Sequence, residues 1–423
     1  MEASPTPTDT RAPWWHRTGV ALTHRNFRLL WFAALGSTIG TWMQQYAQGL
    51  LVFELTKSSF YLGLDGALAQ LPILLFMLIG GVVADRYDRR KLLTGSQYVQ
   101  AFSAFTLALL VMTGHIAIWH VLMMSFITGC GQAFGGPAYQ SLIPTLVPRE
   151  HLPNAIALNS TQFNLSRVLG PLMGTGVLLS LGTAACFGLN GMSYFLVVFA
   201  LASLHVPPHP PSKPGQHKPI LEDLRTGLRY VKNSRVTLTL TQLVAVSTFL
   251  SMPLFTLLPA FAHGVFADGP GTAATRLATL QACQGLGAIV GALTIGTAGR
   301  FKGMGRTLLG LQVTLGLLVL TFSLMHIWWL NCAMLFIIGI VSMSVFSISF
   351  SIVQLAVPDD LRGRVISIYM VALRGGGPLG GLVTGAVADV VTAQHALAFN
   401  GAILSCVAIG VLLSGRGRAV REL

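Results

Sequence analysis

Two arginines and one aspartate lie well inside long apolar stretches of the sequence, away from their ends, where ionisable side chains are rare. Arg167 lies 13 residues after Asn154 and Arg374 ten residues after Arg364, which places them about 20 Å and 15 Å along their helices at 1.5 Å per residue. An unpaired arginine at that depth costs about 2.5–3.5 kcal/mol on membrane-insertion scales. Each arginine is therefore expected either to hydrogen-bond backbone carbonyls freed by a neighbouring Gly-Pro break, or to contact substrate or take part in proton coupling. Asp65 is the third candidate for proton coupling, with a solvated helix end as the alternative.

Amides and tyrosines recur within the same apolar stretches. Such groups need partners in lipid, so their concentration predicts a polar substrate-binding cavity, although part of the set must simply bridge helices. Besides the two arginines, the predicted cavity residues are Gln44, Gln45, Gln48, Gln132, Tyr139, Asn159, Gln162, Asn164, Gln281, Gln284, Gln354 and Tyr369. The set has no deep carboxylate to pair with a cationic compound, so an amphipathic substrate that is neutral or anionic is expected.

The composition is that of an integral membrane protein. Of 423 residues, 53% are hydrophobic and 10% charged, whereas soluble domains have about 25% charged residues. The net charge of +13 does not predict nucleic-acid binding, because the basic residues lie in short loops and not on one soluble face. Twelve apolar stretches are long enough to cross a membrane as helices, at 27–52, 59–82, 92–113, 117–145, 154–180, 183–205, 237–261, 274–298, 307–325, 329–356, 365–390 and 396–414.

The distribution of Lys and Arg predicts the orientation. If both termini are cytoplasmic, 23 of the 27 basic residues lie in cytoplasmic segments, and only Lys57 and Arg276 lie in outer loops. This bias satisfies the positive-inside rule. Asp389, 25 residues past Arg364, is then expected at the outer surface.

A proline-rich segment followed by an amphipathic pattern divides the twelve stretches into six and six. Apolar residues share one helical face from Ile220 to Val231, which predicts a helix lying on the membrane surface. The expected organisation is a cytoplasmic tail over 1–26, a six-helix bundle over 27–205, a cytoplasmic linker over 206–236, a second six-helix bundle over 237–414 and a tail over 415–423.

The two halves repeat each other around the deep arginines. The segment from Arg167 through Gly170 and Pro171 aligns with that from Arg374 through Gly377 and Pro378 at an offset of 207 residues. Internal duplication with breaks in matching helices is typical of transporters whose binding site lies between two halves.

A cluster of charges between the second and third apolar stretches predicts a conformational lock. It runs from Gly81 to Lys91, and the lock residues are Gly81, Asp85, Arg86, Arg89 and Arg90. Charge of this density belongs at a membrane surface. The pattern Gly-x-x-x-Asp-Arg-x-x-Arg-Arg resembles the loop between helices 2 and 3 of the major facilitator superfamily, and it departs at Asp88, where most members carry glycine.

Further strings resemble one bacterial branch of that superfamily. They are Thr41-Trp42-Met43-Gln44-Gln45, Leu146-Val147-Pro148-Arg149-Glu150 and the run from Leu152 to Ser160. The branch comprises drug:proton antiporters and includes enterobactin, macrolide and lysophospholipid transporters. One family feature is missing, because the arginine expected four residues before Gly129-Cys130-Gly131 is replaced by Ser125.

The resemblance implies an all-α membrane protein of twelve transmembrane helices in two pseudo-symmetric six-helix bundles, located in the bacterial cytoplasmic (inner) membrane. It implies export of a siderophore-like or drug-like small molecule by alternating access and proton antiport. The expected partners are substrate, protons and membrane lipid, the driving force is the proton gradient without a cofactor, and a monomer is expected. The alternatives are a lysophospholipid flippase or importer and a transport-inactive sensor or scaffold.

Enzymatic and metal chemistry are not expected. The apolar stretches contain no H-E-x-x-H, G-x-S-x-G or paired carboxylates, so no catalytic residue is assigned. The five cysteines show no C-x-x-C spacing, which predicts neither a zinc site nor a disulfide framework.

Overall fold

The computed structural model describes residues 19–204, 220–266, 272–358 and 361–421. Within these ranges the chain is helical and contains no strand. The predicted tail up to residue 18 and the proline-rich part of the predicted linker, residues 205–219, lie outside the described residues.

Six long helices form the first half. They are α1 Arg25–Thr56, α2 Ser59–Arg86, α3 Arg89–Met112, α4 Ile118–Leu142, α5 Leu152–Leu181 and α6 Thr183–Ser203. The short amphipathic helix α7, Ile220–Asn233, follows. It packs against the second half, where the Tyr230 hydroxyl donates a 3.3 Å hydrogen bond to the carbonyl of Ala356.

The second half begins with a broken segment, α8 Arg235–Ser251, α9 Pro253–Thr256 and α10 Leu258–Phe266. The sequence predicts one helix over 237–261, but Pro253 and Pro259 each lack a backbone N–H and interrupt the helical hydrogen bonds. The remaining helices are α11 Thr272–Ala298, α12 Met304–Leu324, α13 Trp328–Ala356, α14 Arg362–Val391, α15 Ala393–Leu413 and the short α16 Gly415–Arg421.

Nine helical segments of the described ranges are long and apolar enough to cross a membrane. The helices α1, α4 and α5 are as long as these nine, but polar residues interrupt their apolar sequence. They carry all of the predicted cavity residues of the first half. Counting α8 to α10 as one segment, these helices confirm the predicted all-α membrane fold of twelve segments.

The helices pack in the same way in both halves. In the first half α5 packs on α1, and α2 on α4; in the second, α14 packs on α8, and α11 on α13. The halves meet where α2 packs on α14 and α5 on α11, and the surface between them is called the seam below. The Ser58 end of the molecule is where α1 passes into α2, and the Asp88 end is where α2 passes into α3.

Across the seam, α2 and α14 run antiparallel and touch most closely near the Ser58 end. A Cβ atom on Gly385 would lie 2.5 Å from the carbonyl oxygen of Ser59, and one on Gly63 would lie 2.3 Å from that of Gly381. Only glycine permits such an approach of two backbones. Halfway along the pair, a Cβ on Gly375 would meet only the side chain of Leu74, at 4.0 Å. The two halves are therefore in closest contact along α2 and α14 at the Ser58 end.

Candidate functional site

The first deep arginine lies in the seam between aromatic rings from both halves. The Arg167 Cζ atom is 5.6 Å from the ring centroid of Trp42 on α1 and 5.9 Å from that of Phe255 on α9. Among the described residues no carboxylate lies within ion-pair distance of Arg167. Its positive charge is therefore balanced by the faces of two rings, an arrangement that leaves the guanidinium N–H groups able to bind an anionic or carbonyl-bearing group.

The second deep arginine occupies the equivalent place on α14. Arg374 is exposed and shares a helical face with Gly381 and Gly385, which follow it by seven and eleven residues. Those two glycines touch α2, and a Cβ on the adjacent Gly375 would lie 4.0 Å from the Leu74 side chain of α2. Arg374 thus lies on the face of α14 that packs on α2, and the sequence repeat has brought both arginines to the seam.

Asp65 lies in a polar cluster shared by three helices of the first half. The amide nitrogen Nε2 of Gln48 on α1 donates to both carboxylate oxygens, at 3.0 and 2.9 Å. Ser125 on α4 donates from Oγ to Oδ1 at 2.5 Å. The carboxylate sits six residues into α2, about 9 Å from its start, among neutral donors. A carboxylate inside a helix bundle that is contacted only by neutral groups is suited to gain and lose a proton.

Ser125 is the residue that replaces the arginine expected from the family pattern. In this chain the position therefore supplies a neutral hydroxyl to Asp65 and not a guanidinium. The sequence identified Asp65 and Ser125 separately, but their pairing depends on how α2 packs on α4 and is not encoded in spacing along the chain.

A hydrogen-bonded chain connects this cluster to α6. Gln44 donates to Gln48 Oε1 at 3.4 Å, and Asn190 Nδ2 donates to Gln44 Oε1 at 2.7 Å and to the Tyr194 hydroxyl at 3.3 Å. Asn190 was missed by sequence reasoning. The available signal was an asparagine within the apolar stretch 183–205, where an amide needs a partner.

Several predicted cavity residues bridge helices of the first half or bond within their own helix. Gln132 donates to Gln100 on α3 at 2.8 Å, Gln162 to the Ala34 carbonyl on α1 at 3.1 Å, and Asn164 to the Ser160 carbonyl at 2.8 Å. The Tyr139 hydroxyl donates to Asn159 Oδ1 at 2.8 Å and joins α4 to α5.

The remaining predicted cavity residues divide by exposure. Gln45 is exposed, on the α1 face that carries Trp42 three residues before it and Gly49 four residues after it, and a Cβ on Gly49 would lie 3.1 Å from Pro259 of the second half. Gln45 therefore faces the seam. Tyr369 and Gln284 are buried in the packing of the second half, at 0% and 4% exposure. Gln281 and Gln354 are half-buried.

At the Asp88 end, the described members of the predicted lock bind within the first half. Arg89 Nη1 donates to the Ser141 carbonyl at 3.0 Å, and Arg90 Nη2 to the Leu201 carbonyl at 2.5 Å. Asp88 caps α3, accepting hydrogen bonds from the backbone N–H of Arg90 at 2.8 Å and of Lys91 at 3.4 Å. Gly81, Asp85 and Arg86 belong to the last turns of α2, and their surroundings lie outside the described part of the structure.

Comparison with known proteins agrees with this architecture. The family model described as transmembrane secretion effector matches residues 18–418. The chain is 27% identical over 402 residues to the enterobactin exporter of Escherichia coli O1:K1 / APEC, covering 95% of this chain and 94% of that protein. It is 26% identical over 404 residues to the enterobactin exporter of Citrobacter koseri, with the same coverage.

Solved structures share the fold at low sequence identity. A bacterial homologue of the human lysosomal transporter Spinster, in an inward-facing and unoccupied conformation, superposes with a TM-score of 0.72 at 15% identity, covering 94% of this chain and 98% of that one. The nucleoside transporter NupG gives a TM-score of 0.70 at 15% identity, covering 94% and 100%. The chain belongs to the transmembrane secretion effector family of the major facilitator superfamily, and it is a multi-pass bacterial membrane transporter and not an enzyme.

Proposed function

We propose that this protein exports an amphipathic small molecule, neutral or anionic and siderophore-like or drug-like, across the bacterial cytoplasmic membrane by alternating access coupled to proton entry. The observation that carries the proposal is the position of Arg167, which touches rings from both halves in the seam. A group bound there contacts both moving parts, so its binding and release respond to their relative position.

The proposed orientation places both termini and the Asp88 end in the cytoplasm and the Ser58 end outside. It is supported by the distribution of Lys and Arg. In this topology 23 of the 27 lie in segments on one side of the membrane, the side that the positive-inside rule assigns to the cytoplasm. With this orientation, the closed Ser58 end corresponds to an inward-facing state, open to substrate from the cytoplasm.

The proposed substrate chemistry follows from the charged and aromatic groups that line the seam. Arg167 and Arg374 favour a substrate with anionic or hydrogen-bond-accepting groups, and the rings of Trp42 and Phe255 favour an apolar or aromatic body. The curated relatives named above are enterobactin exporters, which supports the same class of compound here.

Asp65 is the proposed proton site. Arg167 and Arg374 are proposed to be coupled to it indirectly, because protonation of Asp65 changes the relative position of the two halves that hold them. Gaining a proton would turn one Asp65 oxygen, which now accepts hydrogen bonds from Gln48 or Ser125, into an O–H donor, so the contacts joining α1, α2 and α4 would rearrange. The halves proposed to rock are 27–205 and 237–414, joined by the linker 206–236. Since one chain supplies both sides of the seam, a monomer suffices.

The test is transport in proteoliposomes under an imposed pH gradient, with a panel of siderophores, macrolides, lysolipids and organic cations. The variants are Asp65→Asn and Arg167→Ala, and Glu54→Gln is the matched control, because Glu54 is an exposed carboxylate at the Ser58 end. We expect gradient-driven movement of a neutral or anionic compound. Asp65→Asn should reduce the rate of this gradient-driven transport roughly tenfold or more, which corresponds to an increase of about 1.4 kcal/mol in the activation free energy.

Two results would overturn the proposal in different ways. A preference for organic cations that is unaffected by Arg167→Ala would contradict the substrate class. Movement that ignores the gradient and survives Asp65→Asn would contradict antiport, and inward movement of lysolipids under these conditions would favour a lipid flippase instead.

A further inference from the structure

The first turn of α2 is capped from the opposite half of the molecule. The backbone N–H of Ser59 donates to Asp389 Oδ1 at 2.5 Å, and that of Phe60 to Asp389 Oδ2 at 3.3 Å. Ser58 also donates from its hydroxyl to Oδ2 of the same carboxylate. Asp389 lies near the end of α14, so all three hydrogen bonds cross the seam.

This arrangement differs from an ordinary helix cap. Ser58 occupies the N-cap position of α2, where a serine side chain normally accepts a hydrogen bond from the helix's own N–H groups, but it makes no such bond here. The free N–H groups of a helix start carry partial positive charge and are well satisfied by a carboxylate. In this molecule that carboxylate belongs to the other half, so separating the halves at this end would leave the start of α2 uncapped.

The capped turn lies at the end of the closest backbone contact between α2 and α14. Asp389 follows Gly385 by four residues and Gly381 by eight, and both glycines touch α2. Beside the cap, a cavity of about 460 Å³ is lined by Phe53, Lys57 and Ser59 from the first half and by Ala260, Asp389 and Thr392 from the second. Because the cavity borders both groups, water can hydrate the carboxylate and the helix start once they part.

We propose that Asp389 is the outer lock of the transport cycle, holding the Ser58 end closed in the inward-facing state and releasing α2 when that end opens. It acts on the start of α2, whereas the predicted cytoplasmic lock contains Asp85 near the other end of the same helix. Asp389 lies near the C-terminal end of α14, at the level where its antiparallel partner α2 begins. The outer lock is independent of what is transported and of what drives transport.

The lock can be tested by measuring which side of the seam is open, without substrate or gradient. In a variant with the five cysteines replaced by serine, Thr256→Cys reports on the outer side, because Thr256 lies in the seam 3.4 Å from a Cβ at Gly381. Intact cells are labelled with a membrane-impermeant maleimide. Asp389→Ala removes all three hydrogen bonds and should speed this labelling tenfold or more, since one hydrogen bond to a charged group already accounts for a factor of about ten. Ser58→Ala removes one of the three and should have a smaller effect.

A second reporter separates opening of the seam from loss of structure. Gln45→Cys faces the seam, and the same maleimide should label it from the cytoplasmic side in inside-out vesicles. Asp389→Ala should slow that labelling, since the population shifts away from the inward-facing state, whereas partial unfolding would speed labelling at both positions. Glu54→Ala removes a carboxylate at the same end and should change neither rate.

Unchanged labelling of Thr256→Cys in Asp389→Ala would overturn the outer lock, and so would an equal increase in Glu54→Ala. Since these measurements need neither a transported compound nor a proton gradient, their failure is distinct from failure of the proposed antiport.

Discussion

At the scale of single residues, Trp42 determines how Arg167 is presented in the seam. The ring also contacts Phe163, whose centroid lies 5.8 Å away in an edge-on arrangement. A guanidinium over a fixed indole face keeps its orientation without an ion pair, so its N–H groups remain available to a ligand. Helix α5 carries the guanidinium of Arg167, and Trp42 on α1 sets its orientation.

Replacing this indole should therefore weaken substrate binding while leaving the arginine in place. Cation–π contacts contribute about 0.5–2 kcal/mol, so Trp42→Leu should raise the dissociation constant of the transported compound about 2- to 30-fold. Calorimetric titration of the purified protein measures it. Trp329→Leu is the control, since Trp329 is 78% exposed at the start of α13; equal losses in the two variants would mean that Trp42 acts only through general stability.

At the residue scale, the sequence identifies candidate residues but not the residues that they contact. Arg167, Arg374 and Asp65 are visible because ionisable groups are costly in apolar stretches. The pairing of Asp65 with Gln48 and Ser125 joins residues 17 and 60 positions apart, and it depends on helix packing that one sequence does not determine.

At the scale of elements, the start of α3 explains the departure of this chain from the family pattern. The pattern has glycine where this chain has Asp88, and the side chain of Asp88 accepts hydrogen bonds from the N–H groups of Arg90 and Lys91. The turn between α2 and α3 is thereby fixed by a side-chain cap, and the two following arginines are directed onto carbonyls of α4 and α6.

Removing this cap should loosen the turn in a graded way. Asp88→Ala should cost about 0.5–2 kcal/mol of local stability, whereas Asp88→Gly, which restores the family residue, should cost only a few tenths. Hydrogen exchange of a peptide covering residues 86–95 should accordingly be fastest in the alanine variant, intermediate with glycine and slowest in the wild type. Exchange in Asp88→Ala that matches the wild type would show that the cap does not stabilise this turn.

The broken seventh segment shows another limit at this scale. Its apolar length predicts one helix over 237–261, and its prolines are visible in the sequence, but a proline inside a membrane helix is often tolerated. Pro137, Pro171 and Pro378 all lie inside unbroken helices here. Which prolines break a helix is decided by whether neighbouring helices satisfy the freed carbonyls, and that requires the fold.

At the scale of the whole molecule, the internal repeat accounts for most of the architecture. An offset of 207 residues relates Arg167 to Arg374, and the helices that carry them pack in the same way, α5 on α1 and α14 on α8. The seam is the part the repeat does not specify. Asp389 was expected at the outer surface from its distance to Arg364, but its contact with Ser58 joins positions 331 apart in the chain.

Because the halves must part at the Ser58 end during each cycle, joining them there should stop transport. In the background without native cysteines, Ser58→Cys combined with Asp389→Cys places two thiols where the side chains now hydrogen-bond across the seam. Crosslinking with a short bifunctional methanethiosulfonate should abolish efflux from proteoliposomes, and dithiothreitol should restore it. The matched control is His326→Cys with Gln394→Cys, an exposed pair at the same end whose side chains lie 3.1 Å apart within the second half. If the halves rock as rigid bodies, crosslinking the control pair leaves efflux intact; efflux that continues with positions 58 and 389 joined would rule out opening of the seam at this end.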